Sequence, residues 1–207
     1  MFEEWKSISR KQATEAQPPQ LSRRLALALG IASAPPVEAK GSVLIHQSGE
    51  AETPFRFIAG KAPAVLMLDP GGIAAAETSA EFAKFKSEGR AILLIDAFQT
   101  GSAAAPRDRS HTHFLTFNRS DDAARTADVA AAISWLAKRQ PGALEIAAAG
   151  KARYWALFAA AATNSQAKLL FDPSAVSAAE TDLLRDFFVP GLMRAGGVDA
   201  ARRAVRK

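Results

Sequence analysis

The sequence predicts an α/β domain, a mostly parallel sheet with helices on both faces, and three observations carry that expectation. Ala64-Val65-Leu66-Met67-Leu68 and Ala91-Ile92-Leu93-Leu94-Ile95 are continuous apolar runs bounded by Pro, Gly and Asp, as strands buried on both faces should be. Between them, residues 77–87 carry helical spacing through Phe82 and Phe85, so strand, helix and strand follow one another as a βαβ unit. A third apolar run, Leu144-Glu145-Ile146-Ala147-Ala148-Ala149, turns at Gly150 into an alanine-rich helical pattern beginning Lys151-Ala152-Arg153-Tyr154-Trp155.

The remaining elements fall around these. Residues 1–40 hold two helical patterns separated by Gln17-Pro18-Pro19-Gln20 and closed by Pro35-Pro36, which predicts a helical N-terminal arm ahead of a domain over 41–207. Within the arm, Arg23-Arg24-Leu25-Ala26-Leu27-Ala28-Leu29-Gly30 followed by Ala32-Ser33-Ala34 imitates a secretory leader. It lies late in the chain and is brief, and an amphipathic helix ended by Gly30 is the favoured expectation. Residues 42–46 and 55–58 form an opening hairpin. A long polar loop between Phe98 and Arg119 contains Gly101, Pro106, His111 and His113, and loops of this length are usually functional or mobile.

Ser120 is placed to cap the next helix, Asp121 and Asp122 suit its positive end, and Val129, Ile133 and Leu136 mark its buried face. Pro141-Gly142 stops it. Lys168-Leu169-Leu170-Phe171 is a further short strand ending at Asp172-Pro173, Ser177-x-x-Glu180 is a capping-box pattern opening a helix through Phe188, and a basic helix follows Gly196-Gly197.

Composition narrows the function classes. The chain has 207 residues, 48% apolar and 23% charged, enough for one domain with a sizeable core. The absence of cysteine removes disulfides, thiol catalysis and thiolate metal sites. The formal charge of +5 is spread along the chain, with Arg202, Arg203, Arg206 and Lys207 as the one dense group, so no nucleic-acid partner is expected. No run approaches the roughly 18 apolar residues of a membrane span, and no membrane partner is expected. Met1-Phe2-Glu3-Glu4-Trp5 is unlike a signal peptide; the compartment stays open, with a cytoplasmic place slightly favoured.

Four stretches then point to a family. Leu68-Asp69-Pro70-Gly71-Gly72, residues 95–101 (Ile95-Asp96-Ala97-Phe98-Gln99-Thr100-Gly101), residues 117–125 (Phe117-Asn118-Arg119-Ser120-Asp121-Asp122-Ala123-Ala124-Arg125) and Phe187-Phe188-Val189-Pro190-Gly191-Leu192 occur in the order met in α/β-hydrolases. The chain resembles the bacterial acetyl-xylan-esterase-like branch of that superfamily, over roughly residues 64–195. The resemblance implies a fold lacking the last two strands, with residues 168–171 at an exposed sheet edge through which a homodimer is expected. It also implies that Ala148, Gly150 and Ala152 occupy the three marked positions of the G-x-S-x-G elbow. The small flanks are kept, and glycine stands where the nucleophilic serine belongs.

By the same resemblance Gly71, Gly72 and Ile73, with the N–H of Lys151, match an oxyanion hole, against the alternative that Pro-Gly-Gly is a tight turn only. Asp69 stands where many relatives have histidine, and an acid pointing inward would oppose a developing negative charge. The family's chain order is Ser, then Asp or Glu, then His. His46, His111 and His113 all precede the elbow, so none takes the last position. Asp172 is a weak candidate for the acid and suits a turn before Pro173 better.

Other chemistries are less favoured. His111-Thr112-His113 with Asp108 has metal-like spacing, but His-x-His in a polar loop is more often solvated. Ser110 beside His111 seldom reaches nucleophile–base geometry. Gly150-Lys151 lacks the spacing of a phosphate-cradling loop, and Trp135, Trp155 and Phe158 are most simply core. No metal or cofactor is expected. Two function classes remain: a degenerate hydrolase scaffold working as a ligand-binding or accessory protein, with a small-molecule or carbohydrate ligand, and a carboxylic-ester hydrolase active through atypical residues or completed by another chain.

Overall fold

A computed structural model describes residues 2–32, 35–46, 49 and 51–205. Its elements run α1 (Phe2–Glu15), α2 (Pro18–Leu29), β1 (Val37–Lys40), β2 (Val43–His46), β3 (Ala51–Ile58), β4 (Lys61–Leu68), α3 (Ile73–Glu77), α4 (Ala80–Ser87), β5 (Arg90–Ile95), α5 (Phe114–Phe117), α6 (Asp121–Arg139), β6 (Leu144–Ala148), α7 (Ala152–Ala162), β7 (Lys168–Leu169), α8 (Glu180–Asp186) and α9 (Gly197–Val205).

The strands form one sheet in the order β1-β2-β3-β5-β4-β6-β7. Strands β2, β4, β5, β6 and β7 run one way and β1 and β3 the other, so the sheet is antiparallel at its opening edge and parallel across β5-β4-β6-β7. The two central apolar runs are explained by the pleat, which sends alternate side chains to opposite faces. Val65, Met67, Ile92 and Leu94 point into a small core with Phe82 and Phe85 of α4. Ala64, Leu66, Leu68, Ala91, Leu93 and Ile95 point into the larger core with α2, α6, α7 and α9. Helices therefore cover both faces, as the continuous runs require.

Helix α7 is buried almost throughout, with Trp155, Leu157 and Phe158 at 0% exposure. Its alanines let α6 on one side and α2 and α9 on the other pack close to it. The apolar face of α2, Leu21, Leu25, Ala26 and Leu29, belongs to this same core, and Gly30 ends the helix in a left-handed conformation at φ 63°. The basic residues of α9 are used internally. Arg202 donates to the carbonyls of Pro173, Ser174 and Val176, and Arg203 to that of Ala16. Arg206 and Lys207, and Ser33 and Ala34 of the leader-like pattern, lie outside the described residues.

Several boundaries differ from expectation. Residues 37–40 form a strand whose hairpin with β2 straddles residue 40, and β3 begins at Ala51. The helix expected over 77–87 is two helices, because the Ser79 hydroxyl accepts the Phe82 N–H at 3.1 Å and starts a new one. The strand after α7 is Lys168–Leu169, at the sheet edge, with one further bond from the Leu170 N–H to the Ile146 carbonyl at 2.9 Å. The capping box at Ser177 and Glu180 does not form: Ser177 Oγ accepts the Ala179 N–H at 3.2 Å, and α8 starts at Glu180 with no side-chain cap. That helix stops at Asp186 rather than Phe188. The Phe187 ring stacks on Phe158 and Tyr154 at centroid distances of 4.8 and 5.5 Å, and Asp122 takes the Phe188 N–H at 2.9 Å, so both residues are drawn off the helical path.

Candidate functional site

The parallel strands β4, β5 and β6 end side by side, and three turns leave them together: Asp69-Pro70-Gly71-Gly72, Asp96 with its following loop, and Ala149-Gly150-Lys151. This is where open α/β sheets hold ligands. The elbow has the expected shape. Gly150 lies at φ 48° between β6 and α7, exposed, and a Cβ placed on it would meet only Pro70 Cγ, at 3.5 Å. Lys151 is exposed beside it.

The Pro-Gly-Gly turn is occupied from within. The Gly71 N–H donates to Asp69 Oδ1 at 2.7 Å, the Gly72 N–H to the Asp69 carbonyl at 3.0 Å, and the Ile73 N–H to Asp96 Oδ1 at 2.7 Å. Asp69 thus bends over its own turn. Asp96, buried at the end of β5, also accepts the N–H and hydroxyl of Ser102 at 2.9 and 2.6 Å, which ties the β4 and β5 turns into one unit. The glycines are obligatory there: a Cβ on Gly72 or Gly101 would lie 2.2 or 2.1 Å from Asp96 Oδ1.

The three histidines do not converge on the elbow region as a catalytic group. His46 is buried on β2, with Nε2 at 2.9 Å from Thr53 Oγ1 and 3.1 Å from Asp128 Oδ1 and with Nδ1 lacking a partner. His111 and His113 are exposed on the loop, His111 Nε2 standing 3.7 Å from Asp108. The Ser110 side chain and backbone N–H bond to Asp108 and hold its carboxyl below the usual range. Asp172 accepts the Ser174 N–H at 2.8 Å as the cap of a short 3-10 turn. Near the elbow, hydrogen bonding to Arg185 holds Asp186 below the usual carboxylate range, with a smaller contribution from Lys151. Among the described residues, no group of three or more His, Asp or Glu is arranged to hold a metal ion.

The long loop is organised around Arg107, which no sequence motif marks. The Arg107 guanidinium lies over the rings of Phe98 and Phe114 at 4.9 and 4.7 Å, and donates to Asp121 at 2.7 Å and to the Arg119 carbonyl at 3.2 Å. Phe98 is itself anchored to α6, its N–H by Asp128 at 2.6 Å and its carbonyl by Arg125 at 2.9 Å. Against α6 the loop encloses one side of an open groove of about 420 Å³, walled by Arg109, His111, Phe114, Leu115, Asp121 and Phe188. Two arginines spaced around an acidic helix start, with flanking phenylalanines, are the sequence signal for this arrangement. No helix among the described residues is long and apolar enough to cross a membrane. Comparison of the chain with protein-family models, curated proteins and solved structures gives no match.

Proposed function

We propose that the chain is a degenerate α/β-hydrolase-like protein related to acetyl xylan esterases, without ester hydrolase activity of its own, that works as a ligand-binding or accessory scaffold. The observation that carries this reading is the state of the Pro-Gly-Gly turn. An oxyanion hole needs donors aimed at the place where negative charge develops. Here the Gly71, Gly72 and Ile73 N–H groups are already engaged by Asp69 and Asp96. A second anion at that place would compete with two carboxylates and a carbonyl for the same donors and be repelled by the carboxylates.

The order of elements supports the family assignment: opening strands, β4 ending in Pro-Gly-Gly, β5 ending in Asp96, the long loop, α6, the elbow and β7. Loss of the chemistry is supported by the elbow, where Gly150 offers no nucleophile, and by His46, buried in a network with Thr53 and Asp128 rather than facing a turn.

The purified chain is expected to leave p-nitrophenyl acetate and acetylated xylan untouched above a buffer control, and to take no fluorophosphonate label. Turnover that survives rigorous purification and disappears on His111→Ala overturns the proposal and places the chemistry on the loop.

A further inference from the structure

The groove beside α6 has a lining that selects by chemistry. Its apolar part is Phe114, Leu115 and Phe188, the last two 43% and 38% exposed. Phe188 is held as a fixed wall, because Asp122 takes its N–H and the neighbouring Phe187 is buried. Its charged lining is Arg109, Asp121 and Asp122, and the two acids are paired from behind by Arg107 and Arg125, which stand outside the lining. Asp121 meets Arg107 at 2.7 Å, Arg109 in a close contact and Arg125 at 4.0 Å. Asp122 meets Arg125 at 3.0 Å and also accepts the Trp155 indole N–H and the Phe188 N–H. Three guanidinium groups thus face two carboxylates. Exposure identifies the surplus one: the Arg107 and Arg125 side chains are 18% and 13% exposed, and that of Arg109 is 47%. Asp108, on the same loop, is turned to the Ser110 N–H at 2.8 Å, with His111 at 3.7 Å.

We propose that this groove binds an amphipathic monocarboxylate, an aromatic or branched apolar body carrying one carboxylate, with the body against Phe114, Leu115 and Phe188 and the carboxylate on the Arg109 guanidinium. Arg109 also donates to the Arg107 carbonyl at 3.2 Å, and the exchange leaves no charge stranded, since Asp121 keeps Arg107 when Arg109 turns to the ligand. A cationic ligand would instead compete with three arginines for two saturated carboxylates. Guanidinium and carboxylate also match in a bidentate geometry that adds selectivity over a neutral head. The volume falls among small-molecule sites, which span about 300–1,000 Å³. The inference deepens the ligand-binding reading above and rests on it. Ester turnover by the chain would sink that reading, whereas failure of acid binding here would sink the groove and leave the absence of turnover standing.

The test is isothermal titration with 3-phenylpropanoate and its neutral counterpart 3-phenylpropan-1-ol. The acid is expected to bind about tenfold more tightly than the alcohol, a margin of about 1.4 kcal/mol. Arg109→Gln should bring the acid down to the alcohol's affinity, Arg109→Lys should retain part of the difference, and Phe188→Ala should weaken both ligands alike. Absence of acid binding at millimolar concentration, equal binding of acid and alcohol, or an unchanged acid affinity in a folded Arg109→Gln protein overturns the proposal. The acid–alcohol comparison uses the wild-type chain, so it decides even where a variant melts early.

Discussion

Gly150 and Asp96 carry opposite lessons about single residues near the strand ends. Gly150 was legible in the sequence, because a glycine between an apolar run and a helix pattern marks a turn that needs φ > 0. Gly150→Ser is expected to fold and to lose roughly 1 kcal/mol in thermal melts, the scale of a strained conformation for a residue with a Cβ. The nearest atom to that Cβ, at 3.5 Å, adds no clash. The variant should still fail to turn over esters, since a serine hydroxyl needs an adjacent base and His46 is held by Thr53 and Asp128; full turnover would refute the degenerate-site reading. Asp96 is marked in the sequence only as the end of a strand and as part of a family-like stretch. Its role comes from donors on both sides of the sequence, Ile73 and Ser102. Asp96→Ala leaves those N–H groups without their acceptor and should cost about 1–3 kcal/mol by denaturant unfolding. Gly101→Ala should be worse, because its Cβ would overlap Asp96 and its φ of 46° is unfavourable to a side chain.

At the scale of elements, the sequence predicts α2 as part of an arm, and its packing decides what the arm contributes. Leu25 is fully buried in the core shared with α6, α7 and α9. Leu25→Ala is therefore expected to destabilise the whole chain by about 2–5 kcal/mol in a single cooperative transition. An early separate transition, with the main melt unmoved, would show an appended arm instead. The amphipathic spacing of α2 and its end at Gly30 were readable; which surface it covers was not, because periodicity gives a face and no address. The loop behaves differently. Arg107 joins Phe98, Phe114, Arg119 and Asp121 with one partly buried guanidinium. Arg107→Ala should speed chymotryptic cleavage at Phe114 or Leu115 several-fold while leaving the global melt close to wild type, as local opening requires. Equal cleavage rates would mean the loop is held by something else.

For the molecule as a whole, alkaline stability can be followed through one residue. Tyr154 is the chain's single tyrosine, and burial, with the nearby Asp186 and Asp182, pushes its pKa above the ordinary value of 10.0. A raised folded pKa means the neutral phenol is favoured by folding, so this contribution is complete below the unfolded value and is lost as pH rises through the folded one. Absorbance titration of the folded chain should show phenolate forming with a midpoint above 10.0, and Tyr154→Phe should remove that part of the alkaline loss of stability. A midpoint at or below the ordinary value would contradict the burial seen against Phe187.

The α/β class, the central strands, the cap at Ser120 and the turn at Gly150 were written in the sequence, because each depends on residues a few positions apart: alternation, helical spacing, a cap, a glycine. Tertiary structure alone decided that Phe187 and Phe188 leave the helical path and that the Ile73 N–H is met by Asp96. It also decided that Arg107 and Arg109 come from the loop onto Asp121. These are pairings between segments distant in the chain, where close packing and the need to satisfy buried polar groups choose the partner, and nothing in the local pattern of either segment names the other.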